Sequence, residues 1–125
     1  MGALFPQIIK ENKTINLNQA DGNVAKTLVT GGENGTKLYA ISAYNNGSTP
    51  ISVLVVVSSG GVAAILTKVE IPAEKSINLL DHIEVPSVME DGSLLVGPLS
   101  LIQVYTATLP QPGDTVDIVA QLADY

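Results

Sequence analysis

The side chains able to do acid–base or metal chemistry fall in one short stretch. His82 is the only histidine, with Asp81 and Glu84 beside it and Glu90 and Asp91 a few residues on. A catalytic imidazole needs a nucleophile on one side and an orienting carboxylate on the other. No nucleophile elbow or triad order accompanies His82. With one His and no Cys, a single chain has too few soft ligands for a transition metal. Three copies of His82 converging on a three-fold axis is the one arrangement left. Calcium takes about six oxygen ligands from a defined loop, and the spacing of Glu84, Glu90 and Asp91 matches no such loop. Paired acids for glycoside hydrolysis need a cleft lined for sugar, and the chain has no Trp. The glycines at 31–32, 60–61 and 97 follow no phosphate-loop pattern and mark turns. The expectation is a chain that is not an enzyme and holds no cofactor or metal.

Composition narrows the partners. The 125 residues carry a formal net charge of −6, and all six cations are Lys. Arginine supplies the bidentate contacts to phosphates and base edges, so nucleic acid is not expected as a partner. One domain is expected at this length. With no Cys or Trp and a single Phe, the core must be aliphatic. Thirty consecutive residues, 38–67, carry no charge. Polar turns at residues 45–50 and 58–61 cut this run into pieces shorter than the roughly 20 apolar residues a spanning helix needs. No membrane span is expected. The N-terminus shows no basic start and its apolar stretch is broken by Pro6, so no targeting signal is read there. Three Asn-X-Ser/Thr patterns, at Asn12, Asn34 and Asn46, are read as turn and strand-edge chemistry.

These residues must be positioned by β-structure. Residues 1–12 read as an extended apolar arm with Leu4, Phe5, Ile8 and Ile9, because Pro6 blocks a helix; the arm either pins itself to its own sheet or reaches a neighbouring subunit. Residues 13–125 read as the domain. Residues 13–18 alternate, with Ile15 and Leu17 on one face. Strands are expected at 24–30, 36–44, 51–57, 62–71 and 76–79, in a short run at 94–96, and at 99–108 and 115–122. In the third strand, Leu38, Ala40 and Ser42 should share one face, and Tyr39, Ile41 and Ala43 the other. The three strands of the uncharged run should form the centre of the sheet core. Eight or nine short strands with turn signals between them predict an all-β, single antiparallel β-sandwich, jelly-roll or immunoglobulin-like.

The order of these pieces carries a resemblance. An N-terminal arm precedes Lys37-Leu38-Tyr39-Ala40-Ile41-Ser42-Ala43-Tyr44-Asn45, a polar turn and a valine-rich strand. Then comes Ile71-Pro72-Ala73-Glu74-Lys75-Ser76-Ile77-Asn78-Leu79. The chain closes with Val104-Tyr105-Thr106-Ala107, Thr115-Val116-Asp117-Ile118-Val119-Ala120 and Asp124-Tyr125. This resembles the small β-sandwich virion proteins of tailed bacteriophages, some of which decorate or cement the capsid exterior, often as trimers. The resemblance implies a structural virion protein, assembled in the bacterial host cytoplasm, whose partners are copies of itself in a homotrimer and the major capsid protein or another virion protein. It brings no catalytic or ligand residues with it. Tail, neck and baseplate proteins, or a glycan-binding host-attachment module, are the alternatives. The contact residues expected are Leu4, Phe5, Ile8 and Ile9 of the arm, His82 and its neighbouring loops at 81–98, and Tyr125.

Overall fold

A computed structural model describes residues 11–84 and 91–125. Nine strands account for most of them: β1 (Glu11–Asn18), β2 (Lys26–Thr30), β3 (Thr36–Asn45), β4 (Ile51–Ser59), β5 (Val62–Ile71), β6 (Ser76–Asn78), β7 (Leu94–Val96), β8 (Leu101–Thr106) and β9 (Thr115–Asp124). Two 3-10 turns, Gln19–Asp21 and Leu79–His82, are the helical pieces among the described residues. The first is closed by reciprocal bonds between Asn18 and Asp21, each side chain accepting the other's backbone N–H. Such a capping box satisfies donors that a short turn would otherwise leave bare.

The strands form two antiparallel sheets. One runs β1-β9-β3, with β6 and β7 paired to separate stretches of β3, Ser42–Tyr44 and Thr36–Leu38; the other runs β2-β8-β4-β5. The first strand lies beside the last and the second beside the last but one. The third then continues the first sheet and the fourth the second. That wound order is a jelly roll with β7 added, and it differs from the immunoglobulin grouping. It also corrects one expectation. The three strands of the uncharged run are not neighbours in one sheet: β3 belongs to the first, β4 and β5 to the second. The polar turn after Asn45 carries the chain across. Buried Asn45 holds that turn, donating to the carbonyls of Thr49 (2.8 Å) and Ile71 (3.0 Å) and accepting from Gly47 N–H (2.9 Å).

The core between the sheets is aliphatic, as composition requires. Leu17, Leu38, Ile41, Val53, Val55, Ile71, Leu79, Ile102, Val104, Val116 and Ile118 are fully enclosed. Deleting one of the larger side chains to Ala costs about 2–5 kcal/mol in such a setting. Three bulges adjust which residues reach it: in β2 the register against β8 shifts between Thr27 and Val29, and Leu28 and Val29 are both buried. In β3 the register against β9 shifts between Leu38 and Ala40, so Leu38, Ile41 and Ala43 all face inward. The simple alternation expected for that strand fails at Tyr39, because an extra residue resets the phase. In β5, Thr67 pairs with Val55 and Ile65 with Val56, which leaves Leu66 as the extra residue.

One end of the sandwich gathers the starts of β1, β3 and β5, the β2–β3 loop, residues 97–100 and the end of β9. It is called the upper end below. Thr36, fully buried, ties it together by accepting Gly32 N–H (2.9 Å) and donating to the Asp124 carboxylate. Gly31 must be glycine there: a Cβ would sit 1.9 Å from the Gly97 carbonyl oxygen.

Candidate interaction surface

Among the described residues, the polar groups singled out in the sequence form no shared metal-type cluster. His82 ends the second 3-10 turn with its side chain exposed, and among the described residues it forms no ion pair. Asp81 is engaged by Asn78 Nδ2 at 3.4 Å. Asp91 accepts from Ser93, both hydroxyl and N–H, and pairs with Lys37 Nζ at 3.0 Å. Those donors hold the Asp91 carboxyl well below the usual carboxylate range, the Ser93 bonds contributing most, and the same pairing raises Lys37. Lys37 Nζ also lies 5.0 Å from the Tyr39 ring centre, a cation–π distance. This cluster fastens the segment before β7 to β3. Among the described residues no three His, Cys, Asp or Glu side chains come together as metal ligands would.

Tyr125 is half-buried, and its N–H bonds the Gly35 carbonyl at 3.1 Å. It pins the end of the chain to the β2–β3 loop. Leu4, Phe5, Ile8 and Ile9, and with them Pro6, Pro86 and Glu90, lie outside the described residues.

On its β5 side the upper end presents apolar side chains from two charge-free segments, residues 58–67 and 97–100. β5 is the last strand of its sheet, so the side away from β4 has no strand partner among the described residues. Below the Leu66 bulge its residues alternate, with Val69 and Ile71 buried and Glu70 exposed between them. Above the bulge, Val62, Ala63, Ala64 and Ile65 are all exposed, Val62 by 72% and Ile65 by 60%. A bulge bends its strand and increases the local twist, and the change from buried to exposed residues along β5 falls at this bulge. Gly60 and Gly61, both at positive φ (59° and 81°), make the two-residue turn that starts it.

Close by, the turn 97–100 displays Leu99, 79% exposed. Leu99 has φ 60°, a conformation that costs an L-residue about 1–2 kcal/mol. The turn is held there by bonds from Leu99 N–H to Gly31 O (3.2 Å), Gly31 N–H to Ser100 O (2.8 Å) and Ser100 N–H to Gly97 O (3.1 Å). A strained backbone is thus maintained with a large apolar side chain in solvent. Between β5 and β7 opens a cleft of about 260 Å³, lined by Val57, Leu66, Leu94, Leu95, Val96, Gly97, Ser100 and Ile102. Its lining contains no ionisable side chain. On the opposite flank a groove of about 380 Å³ lies between β1 and β2, lined by Glu11, Lys13, Thr14, Thr27 and Asp124 among others, with no aromatic ring.

The sequence points to the loops at 81–98 as contact surface, and exposed Leu95 lies within them. Val62, Ile65 and Leu99 escape sequence reasoning. The available signal is the absence of any charge from Leu38 to Thr67, which serves a buried core equally well. No protein-family model matches this chain, and no curated protein sequence matches it either.

Proposed function

We propose that this chain is a structural protein of a tailed-phage virion, a homotrimer that clamps onto the capsid exterior. The observation that carries the reading is the charge-free apolar surface at the upper end: the edge of β5 above Leu66, Leu99 and the cleft beneath them. Where exposed apolar side chains join into a patch they mark a protein contact site, and burying such a patch against a partner is worth roughly 25 cal/mol per Å². No ion has to be stripped of water when it is covered. The jelly roll itself recurs in shell-forming proteins, although a fold alone assigns no function. The sequence resemblance to virion decoration proteins points the same way. The mechanism is mass action: a protein that binds the assembled shell and not its dissociated parts shifts the equilibrium toward the shell.

Two measurements test this. Sedimentation equilibrium of the purified chain is expected to give a mass near three chains. Mixed with tailed-phage capsids assembled without it, the chain is expected to co-sediment and to raise their disruption temperature. A strict monomer that leaves capsids untouched overturns the reading. The groove between β1 and β2 gives the glycan-binding alternative its one foothold; glycan-array binding by a monomer would establish it instead.

A further inference from the structure

We propose that Asn34 is a site of spontaneous modification, converting to aspartate and isoaspartate through a cyclic imide on Gly35, while the same Asn-Gly step at Asn46 is locked by the fold. This chemistry needs no partner and is independent of the function proposed above. Of the chain's asparagines, only Asn34 and Asn46 precede a glycine, and both are exposed. Glycine has no Cβ to keep its nitrogen away from the preceding side chain.

The step is an acyl transfer. A base in solvent takes the Gly35 N–H proton, and the nitrogen attacks the side-chain carbonyl carbon of Asn34. The new C–N bond closes a five-membered imide, and the side-chain nitrogen leaves as ammonia. Water then opens the ring at either carbonyl. One opening leaves aspartate. The other leaves isoaspartate, whose main chain runs through the former side chain and is longer by one carbon.

A backbone nitrogen whose proton is held in a hydrogen bond must first be freed by local opening. Both nitrogens are held: Gly35 N–H donates to Gly32 O (2.9 Å) and Gly47 N–H to Asn45 Oδ1 (2.9 Å). What stands behind each bond differs. Asn46 N–H is itself bonded to Thr115 O (2.9 Å), and Asn45 is fixed by its bonds to Thr49 and Ile71. A Cβ on Gly47 would lie 2.7 Å from Asp114 Oδ2, so that carboxylate sits against the turn. Freeing the Gly47 nitrogen therefore means undoing the crossing between the two sheets. The loop around Asn34 is fastened at its ends, by Gly31, Gly32 and Gly35. Among the described residues Glu33 and Asn34 make no bond of their own. Such a loop tip opens at far lower free energy than the domain unfolds.

The product also matters for the upper end. Gly31 holds the Leu99 turn by two bonds, and Gly35 O receives Tyr125 N–H. An extra main-chain carbon after residue 34 shifts Gly35 against Gly32, so isoaspartate loosens the loop from both.

The full chain is incubated in mildly alkaline buffer, native or in guanidinium chloride, then mapped by peptide mass and by isoaspartyl methyltransferase labelling. In the native chain Asn34 is expected to convert at least about ten-fold faster than Asn46, and in denaturant the two should convert at similar rates. Equal native rates, Asn46 ahead, or the native ratio persisting in denaturant overturns the assignment. So does a native Asn34 that stays intact while the unfolded chain converts. Asn45→Ala removes the acceptor of Gly47 N–H; it is expected to speed Asn46 at least about ten-fold and leave Asn34 unchanged. An unchanged Asn46 in the folded variant overturns the lock. If Asn45→Ala does not fold, the native and denatured rates of the unmodified chain decide alone.

Discussion

Below Leu66, β5 sends Val69 and Ile71 into the core and shows Glu70 to water; above Leu66 it shows Val62, Ala63, Ala64 and Ile65, and no charge at all. Both halves pair with β4 in one continuous ladder, interrupted only by the bulge. The lower half behaves as an edge strand of a monomer should. The upper half would be a liability for a monomer, since a bare apolar edge invites pairing. Within a single strand, then, residue choice separates a segment that holds the fold from one that does not need to. The second kind of segment is free to be used elsewhere.

Paired substitutions across the bulge test that division most sharply. Val69→Asp buries a carboxylate with no partner and is expected to cost about 3 kcal/mol or more. Ile65→Asp, on the other side of the bulge, is expected to change the stability of the dissociated chain, at high dilution, by no more than about 0.5 kcal/mol. Urea unfolding of the two variants reads this directly; equal losses would erase the distinction. Next in size is Leu99→Gly, which releases the left-handed backbone and is expected to stabilise the domain by about 0.5–1 kcal/mol. The same change removes an apolar contact, so stability should rise while self-association or capsid binding weakens. A loss of both would mean that Leu99 serves the fold. The smallest effect belongs to Asp91→Asn. A carboxyl lowered on folding contributes stability above its ordinary pKa of 3.8, and loses it as pH falls through the folded value. The gap in melting temperature between the native chain and this variant should therefore be steady near neutrality and close in acid.

Much of the architecture is legible in the sequence because turns and aliphatic alternation are local. Gly60-Gly61, the 45–50 turn and the Pro-Gly step at 112–113 separate strands where the structure separates them. The bulges at Tyr39 and Leu66 are not legible, since an extra residue leaves no mark in composition. Nor is the position of β5. Five apolar residues in a row, Val62 to Leu66, read the same whether a strand is covered on both faces or stands uncovered at an edge. Only the strand order decides, and that is set by pairings distant in sequence. The positive φ of Leu99 runs against expectation, because glycine usually fills that place in a turn after Pro. His82 and the acids near it draw notice by type, yet among the described residues no three of them come together as metal ligands would.

β9 lies between β1 and β3, bonded to both along most of its length. During synthesis, then, the five-stranded sheet stays open until residues 115–124 have left the ribosome. Until that moment β1 and β3 each expose an unfilled side, and the nascent chain waits for a late-made strand to slot between two early ones. The slow step of folding should accordingly be this insertion, which must close a loop of about a hundred residues before its contacts reward it.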